Sequence, residues 1–387
     1  MPFADTSGVE LAYVAESSWG ATPASPSFQR VRFTSETLSY NIENAVSDEI
    51  TPNPSVSDLV QVGAAVEGDA NYELSYGSDF HNLWEAALRS SFTTGTVTQN
   101  VTATGAESLG ATTVNVTTDG TGDVSLDQGD LVYFGAEGPY FVTASTSIGS
   151  STSGDIPIAP GLRNALSGAE VVTVRNAVSG GSGASSLTFE KLLDVAGSST
   201  YFRFEGCRIN GMGWSLTPGS IATGSLGLMG GTHSKGTEIL SGASYANGNA
   251  NPVLAAPDAA NIMVGGTTTP LYFTELSARI ANNLRAQQAV GSLGALGIAY
   301  GRREVTGTCN AYFEDDEFYS LFVNGAETEL SFDLSDGTNT YTFWLPRVKL
   351  RTAEITTPGV NQNMLQNVGF QALYDNGATG TDIIIAR

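Results

Sequence analysis

Basic residues are scarce in this 387-residue chain. Seventeen Lys and Arg stand against 39 Asp and Glu, and the net charge is −22. A protein that grips phosphates needs a basic surface, so nucleic-acid binding of that kind is excluded. An acidic surface gives solubility, and it would equally keep a polyanion from sticking. Cysteine is almost missing, with Cys207 and Cys309 alone. Two thiols do not make a disulfide framework. Histidine is as rare, His81 and His233, and no Ser-His-Asp set can be nominated from them. No apolar run approaches the ~20 residues that cross a bilayer as a helix. Met1 to Gly8 is polar and acidic, without the basic and apolar regions of a secretory signal. A soluble protein made in a cytoplasm is therefore expected.

Glycine is abundant, and short alternating runs are separated by Gly, Asn, Asp and Pro. That pattern reads as all-β with short flanking helices, and the length allows two or three domains. Internal repeats decide how those domains are arranged. Leu38-Ser39-x-x-Ile42-x-Asn44 returns 238 residues later as Leu276-Ser277-x-x-Ile280-x-Asn282. Val66-x-Gly68-x-x-Asn71 returns as Val305-x-Gly307-x-x-Asn310, and Phe80, Leu83 and Trp84 as Phe318, Leu321 and Phe322. Further on, Thr200-Tyr201 and Thr217-Pro218-Gly219 return only 140 residues later, as Thr340-Tyr341 and Thr357-Pro358-Gly359. Leu187-Thr-Phe189-Glu190 likewise resembles Leu330-Ser-Phe332-Asp333. The first copy thus carries 98 residues that the second lacks. We read two copies of one domain. The first spans 1–92 plus 186–230 and is interrupted by a small all-β insertion at 93–185. A connector follows at 231–270, and the second copy spans 271–387.

Residues 37–44 and 65–74 alternate apolar and polar, which predicts a sheet with one buried and one wet face. Glu43, Glu67, Asp69, Asn71 and Glu73 fall on the wet side. Thr306, Thr308 and Asn310 do so in the second copy. A long loop, 45–64, separates the two strands and carries Asp48, Glu49, Pro52, Pro54 and Asp58. Its counterpart, 283–299, carries Arg285, Gln287 and Gln288. Long loops kept at one place in both copies point to function. Phe80, Leu83, Trp84, Ala87 and Leu88 form one helical face, with Ser78 as expected N-cap and His81 in solvent. Phe318, Leu321 and Phe322 repeat the stripe, closed by Asn324-Gly325. The insertion reads as four or five strands that project from the surface.

No catalytic set emerges, so no enzyme, cofactor or metal is expected. Glu314-Asp-Asp-Glu317 has acidic residues where helix capping wants them. Asp119-Gly-Thr-Gly-Asp123 lacks the spaced ligands of a calcium loop and reads as a turn. Gly291-x-x-Gly294-x-x-Gly297 lacks the βαβ setting of a dinucleotide site.

The chain resembles the tail tube proteins of long non-contractile-tailed bacteriophages, the siphophages. The resemblance lies in Tyr13-Val-Ala-Glu16-x-x-Trp19-Gly20-x-x-Pro23, Arg32-Phe33-Thr34-Ser35 and Ser47-Asp48-Glu49-Ile50. It continues through Val66-x-Gly68, Leu187-Thr-Phe189-Glu190, Gly206 to Asn210, Val305-Thr-Gly307, Tyr312-Phe313 and Leu345-Pro346-Arg347-Val348. It implies β-sandwich or barrel domains whose inner sheets join into a ring of six, stacked by a long loop into a DNA-conducting tube. With two domains per chain, three chains would close a pseudo-sixfold ring, a homotrimer, where a single-domain protein would need a homohexamer. The wet residues would then line an acidic lumen together with Arg279, and the long loops would stack the rings. Implied partners are the protein itself, the tape measure protein and transiting DNA in the lumen, and tail terminator and distal tail proteins at the ends. No membrane is implied. The implied location is the virion tail, assembled in the host cytoplasm. The alternatives are a carbohydrate-binding or adhesive β-sandwich protein, expected to show an exposed aromatic cluster, and a glycan hydrolase, which needs a carboxylate pair.

Overall fold

A computed structural model describes residues 8–50, 52, 55–98, 101–120, 122–195, 198–266, 272–357, 359–377 and 379–387. Among the described residues the chain is all-β with two short α-helices, as its alternation predicts. Two sets of elements recur in the same order. The first is β1 (Val9–Ala15), β2 (Ser39–Val46), β3 (Leu59–Glu73), α1 (Ser78–Leu88), β4 (Leu187–Val195), β5 (Ser198–Leu216), β6 (Thr223–Gly230) and β7 (Thr232–Gly236). The second is β8 (Ala259–Val264), β9 (Phe273–Ala281), β10 (Glu304–Tyr312), α2 (Glu317–Asn324), β11 (Glu327–Ser335), β12 (Thr340–Thr356), β13 (Leu365–Ala372) and β14 (Ile384–Ala386).

Each set makes two layers that share one long strand. In the first, β2-β3-β6 and the second half of β5 form a sheet with one wet face. The first half of β5 turns into the other layer, between β4 and β7, and β1 lies beyond β4. Strand β5 runs unbroken for 19 residues. It changes layer at Gly206, whose φ of 67° would strain any residue with an L side chain. Glu16 accepts from the Gly206 N–H at 2.7 Å, and the Trp19 indole donates to its carbonyl at 3.1 Å. The second set repeats this with β9-β10-β13-β12 as the half-wet sheet and β8-β11-β12-β14 as the other layer.

The repeated glycines have a steric reason. A Cβ on Gly68 would collide with the Leu38 backbone, and one on Gly307 with the Ser277 carbonyl and the Phe370 ring. One apolar cluster runs through both sets, from Leu11 and Tyr13 to Ile383 and Ile385. Helix α1 sits in its middle. Trp84 meets Trp214 of β5 and Phe343 of β12 edge-on, at centroid distances of 5.6 and 6.0 Å.

Several elements differ from the sequence reading. Residues 59–64 continue β3 rather than forming loop, because they pair with β2 out to Val46 and Leu59. Residues 285–287 and 297–299 likewise form a small hairpin. The low-periodicity segment 231–264 holds β7, a strand at 244–246 and β8, held by backbone pairing that leaves no side-chain period. Residues 93–179 contain a six-stranded and a three-stranded sheet around their own apolar cluster. They do not simply project. Leu131, Tyr133 and Phe141 pack on Trp344, Ile384 and Ala386 of the second set. Arg163 bonds Glu329 at 2.8 Å, and Arg175 bonds Asp333 at 2.9 Å.

Candidate functional site

The wet faces of the two sets form one surface. Gly211 to Leu216 of β5 pair antiparallel with Ala281 to Leu276 of β9, so the two half-wet sheets are a single sheet. Rows of residues cross it from one set into the other. Asn71, Ser225, Gly213, Arg279, Thr306, Gln371 and Lys349 are successive partners across seven strands. The next row is Glu73, Thr223, Ser215, Ser277, Thr308, Gly369 and Thr352. A third begins Asp69, Gly227, Gly211, Ala281 and Glu304. Period two puts every second residue of each strand on this face.

The lumen candidates therefore share a surface. Glu43, Glu67, Asp69, Asn71 and Arg279 are exposed, and Glu73, Thr306, Thr308 and Asn310 are half-buried. Asn71 donates to Ser35 at 2.9 Å, and Asn41 to Glu67 at 3.4 Å. Asn310 donates to Glu275 at 2.8 Å and accepts from the Val368 N–H at 3.1 Å. Glu275, Gln371 and Lys349 belong to the same surface and were missed. The alternation of Leu365 to Ala372 was the available signal for Gln371. The acidic residues concentrate in the first set, while Arg279 and Lys349 lie in the second. Glycine and hydroxyl residues fill most remaining places, so the surface is smooth as well as polar.

The loop candidates divide. Strands β2 and β3 extend past the end of β6, where Gly230 pairs with Val66. They make an arm whose apolar residues are exposed, among them Val46, Ile50, Val56, Leu59, Val60 and Val62. Asp48, Glu49, Pro52 and Asp58 are at its tip, which the Ser47 N–H closes on the Asp58 carbonyl at 3.0 Å. Pro54 lies outside the described residues. Arg285, Gln287 and Gln288 are exposed, but their loop turns back on the first set, where Ala64 N–H bonds Leu293 O at 2.8 Å.

His81 is buried rather than solvated. Its Nδ1 lies 2.6 Å from Arg387 Nη1, so the neutral ring accepts from the guanidinium. Burial first, then the Arg387 charge, push its pKa down to about 3. Helix α1 begins at Ser78, but Gly77 is its N-cap. Asp316 is the N-cap of helix α2 without a side-chain cap bond, while Asp315 accepts from the Glu317 N–H at 3.0 Å, and the helix ends at Gly325 in the left-handed region, as its sequence asks. Only Phe318 of its stripe is buried. Gly122 N–H bonds Asp119 O, a turn, with Thr121 outside the described residues. Among the described residues, no group of three or more His, Cys, Asp and Glu is placed to hold a metal. Trp84, Trp214 and Trp344 are buried and Trp19 leans on Gly206, so the tryptophans form no exposed platform.

A search of curated proteins finds no match. The family described as phage tail tube protein matches residues 6–372, nearly the whole chain. With a two-layer β fold repeated twice and a continuous polar sheet, this chain belongs to the phage tail tube protein family, a structural family of the virion tail that self-assembles into the tube.

Proposed function

We propose that three chains close a ring of pseudo-sixfold symmetry, and that the shared sheet lines a lumen through which DNA and the tape measure protein pass. The observation that carries this reading is the β5–β9 joint. There the two sets of elements join edge to edge with their wet faces in register, which supports reading them as neighbouring members of one ring. The free edge of β12 at 351–356 then takes β2 of the next chain, and both exposed sheet edges disappear. The domain division read from the repeat follows, with two tube domains and one inserted domain per chain. The tail is of the long non-contractile kind, assembled in the host cytoplasm, with terminator and distal tail proteins closing its ends.

Glu43, Glu67, Asp69, Asn71 and Glu73, with Arg279, Thr306, Thr308 and Asn310, are assigned to the lumen. Carboxylates repel phosphates, and Gly, Ser and Thr offer nothing to grip, so DNA slides. The arm of β2 and β3, with Asp48, Glu49, Pro52, Pro54 and Asp58, is assigned to stacking between rings. The hairpin with Arg285, Gln287 and Gln288 supports the same contact. Negative-stain microscopy of the purified chain should show hollow tubes. Tubes from a chain lacking 47–58 would remove the stacking assignment. A chain that stays monomeric at every concentration and salt would remove the ring.

A further inference from the structure

One joint of the proposed ring already exists inside each chain, and it serves as a template for the joint between chains. At the internal joint the first set supplies α1 and Trp214, and the second supplies an aromatic site on β12. Trp214 stacks on Phe343 at 4.4 Å, and His81 meets Tyr341 edge-on at 5.6 Å. Asn282 closes the joint with bonds of 2.9 Å to the carbonyls of Ala87 and Ile209.

The first set has the same site with nothing in it. Phe189 pairs with Phe204 as Phe332 pairs with Phe343, so Phe204 stands where Phe343 does and Phe202, one residue beyond the Tyr201 matched in sequence, stands where Tyr341 does. Around Phe202 and Phe204 lies an open pocket of about 290 Å³, lined also by Leu38, Tyr40, Leu193 and His233. The second set, in turn, has the filling without a site. Tyr319 and Phe322 of α2 repeat His81 and Trp84 and are 46% and 37% exposed, and Ile355, beside the free edge of β12, is 39% exposed. Asn44, the repeat of Asn282, is exposed on β2. The carbonyl that repeats Ala87 O belongs to Gly325, at the end of α2.

We propose that α2 of one chain docks in the Phe202–Phe204 pocket of the next. Phe322 and Ile355 take the places of Trp84 and Trp214, and Asn44 caps α2 across the joint through Gly325 O. The occupant is a second copy of this chain because only the repeat offers the matching helix, edge strand and cap together. Burying aromatics at the centre of an interface gives it most of its strength. This inference rests on the ring reading and goes beyond it, since a continued sheet does not by itself say what seals the layer behind.

The test replaces Phe322 with photoreactive p-benzoylphenylalanine in the full chain, mixed with isotope-labelled chain and irradiated after assembly. Crosslinks between labelled and unlabelled chains should map to 38–44 or 191–204. Assembled rings whose crosslinks map elsewhere would overturn the docking and leave the ring intact. No assembly of the unmodified chain would overturn both. Phe322→Asp should leave the melting of the monomer unchanged while raising the concentration needed for rings at least about tenfold. Unchanged assembly would contradict the proposal.

Discussion

The two sets of elements solve one problem differently. Glu190 on β4 and Asp333 on β11 occupy repeated positions with almost no solvent, at 2% and 3% exposure. A buried carboxylate needs a cation or several donors. In the first copy Arg203, on the neighbouring strand, bonds Glu190 at 2.6 Å, and the Tyr245 hydroxyl donates as well. In the second copy the paired position is Thr342. Arg175 of the inserted segment supplies the cation, with donors from Thr342 and Asn261. Residues 93–179 separate elements of the first set in sequence yet brace the second set in space. A recurring set of strands can rely for its buried charge on whatever neighbour is permanently present.

The helices teach the same lesson with the opposite outcome. Helix α1 is sealed within its chain, so its stripe is fully apolar and buried. Helix α2 is not, and keeps Tyr319 and Phe322 at a surface. Trp84→Ala should therefore cost about 3–5 kcal/mol, while Phe322→Ala in the isolated chain should cost less than about 1 kcal/mol. Urea denaturation of both variants measures the contrast, and equal losses would break it. Arg203→Met should cost about 3–5 kcal/mol by leaving the buried Glu190 without a cation and with the Tyr245 hydroxyl as its donor. Arg175→Met should cost less, about 1–3 kcal/mol, since Asp333 keeps two other donors. The reverse order would mean that the insertion is the stronger support.

His81 sharpens the comparison through pH, because the repeat position in α2, Tyr319, carries no imidazole. The folded pKa of His81 lies below its unfolded value of about 6.5. The unfolded chain therefore binds the proton first, and stability is present above pH 6.5 and lost as pH falls towards 3. Between pH 7 and 4.5, His81→Phe should lose about 2 kcal/mol less than the parent chain, from paired urea titrations. Parallel losses would place the acid sensitivity elsewhere. The smallest effect on stability is expected in the wet face. Glu67→Lys, Asp69→Lys and Glu73→Lys should each change it by less than about 0.5 kcal/mol. Together they should slow DNA ejection from reconstituted particles, and unchanged ejection would contradict a repelling wall.

Much of this was legible because period two and repetition survive in sequence. Val66-x-Gly68-x-x-Asn71 shows a wet and a dry face, and its return at Val305 shows that the element is used twice. The Gly in it is fixed by a backbone approach that only pairing reveals. What was not legible depends on partners distant in the chain. His81 looks polar and exposed on its helix, but Tyr76, Tyr341 and Arg387 cover it from other elements. Strands of 231–264 are set by backbone pairing alone. Phe322 matches Trp84 in type, yet nothing in the sequence says that its cover lies outside the chain.

Mass measurement of single rings is the most direct test of the central claim. Electron cryomicroscopy of assembled tubes, with scanning-transmission mass per length, gives both symmetry and stoichiometry. The account predicts three 40.3 kDa chains per ring and a near-sixfold wall with three inserted segments outside. Six chains per ring would contradict it, because the internal β5–β9 joint would then not be one of six equivalent joints.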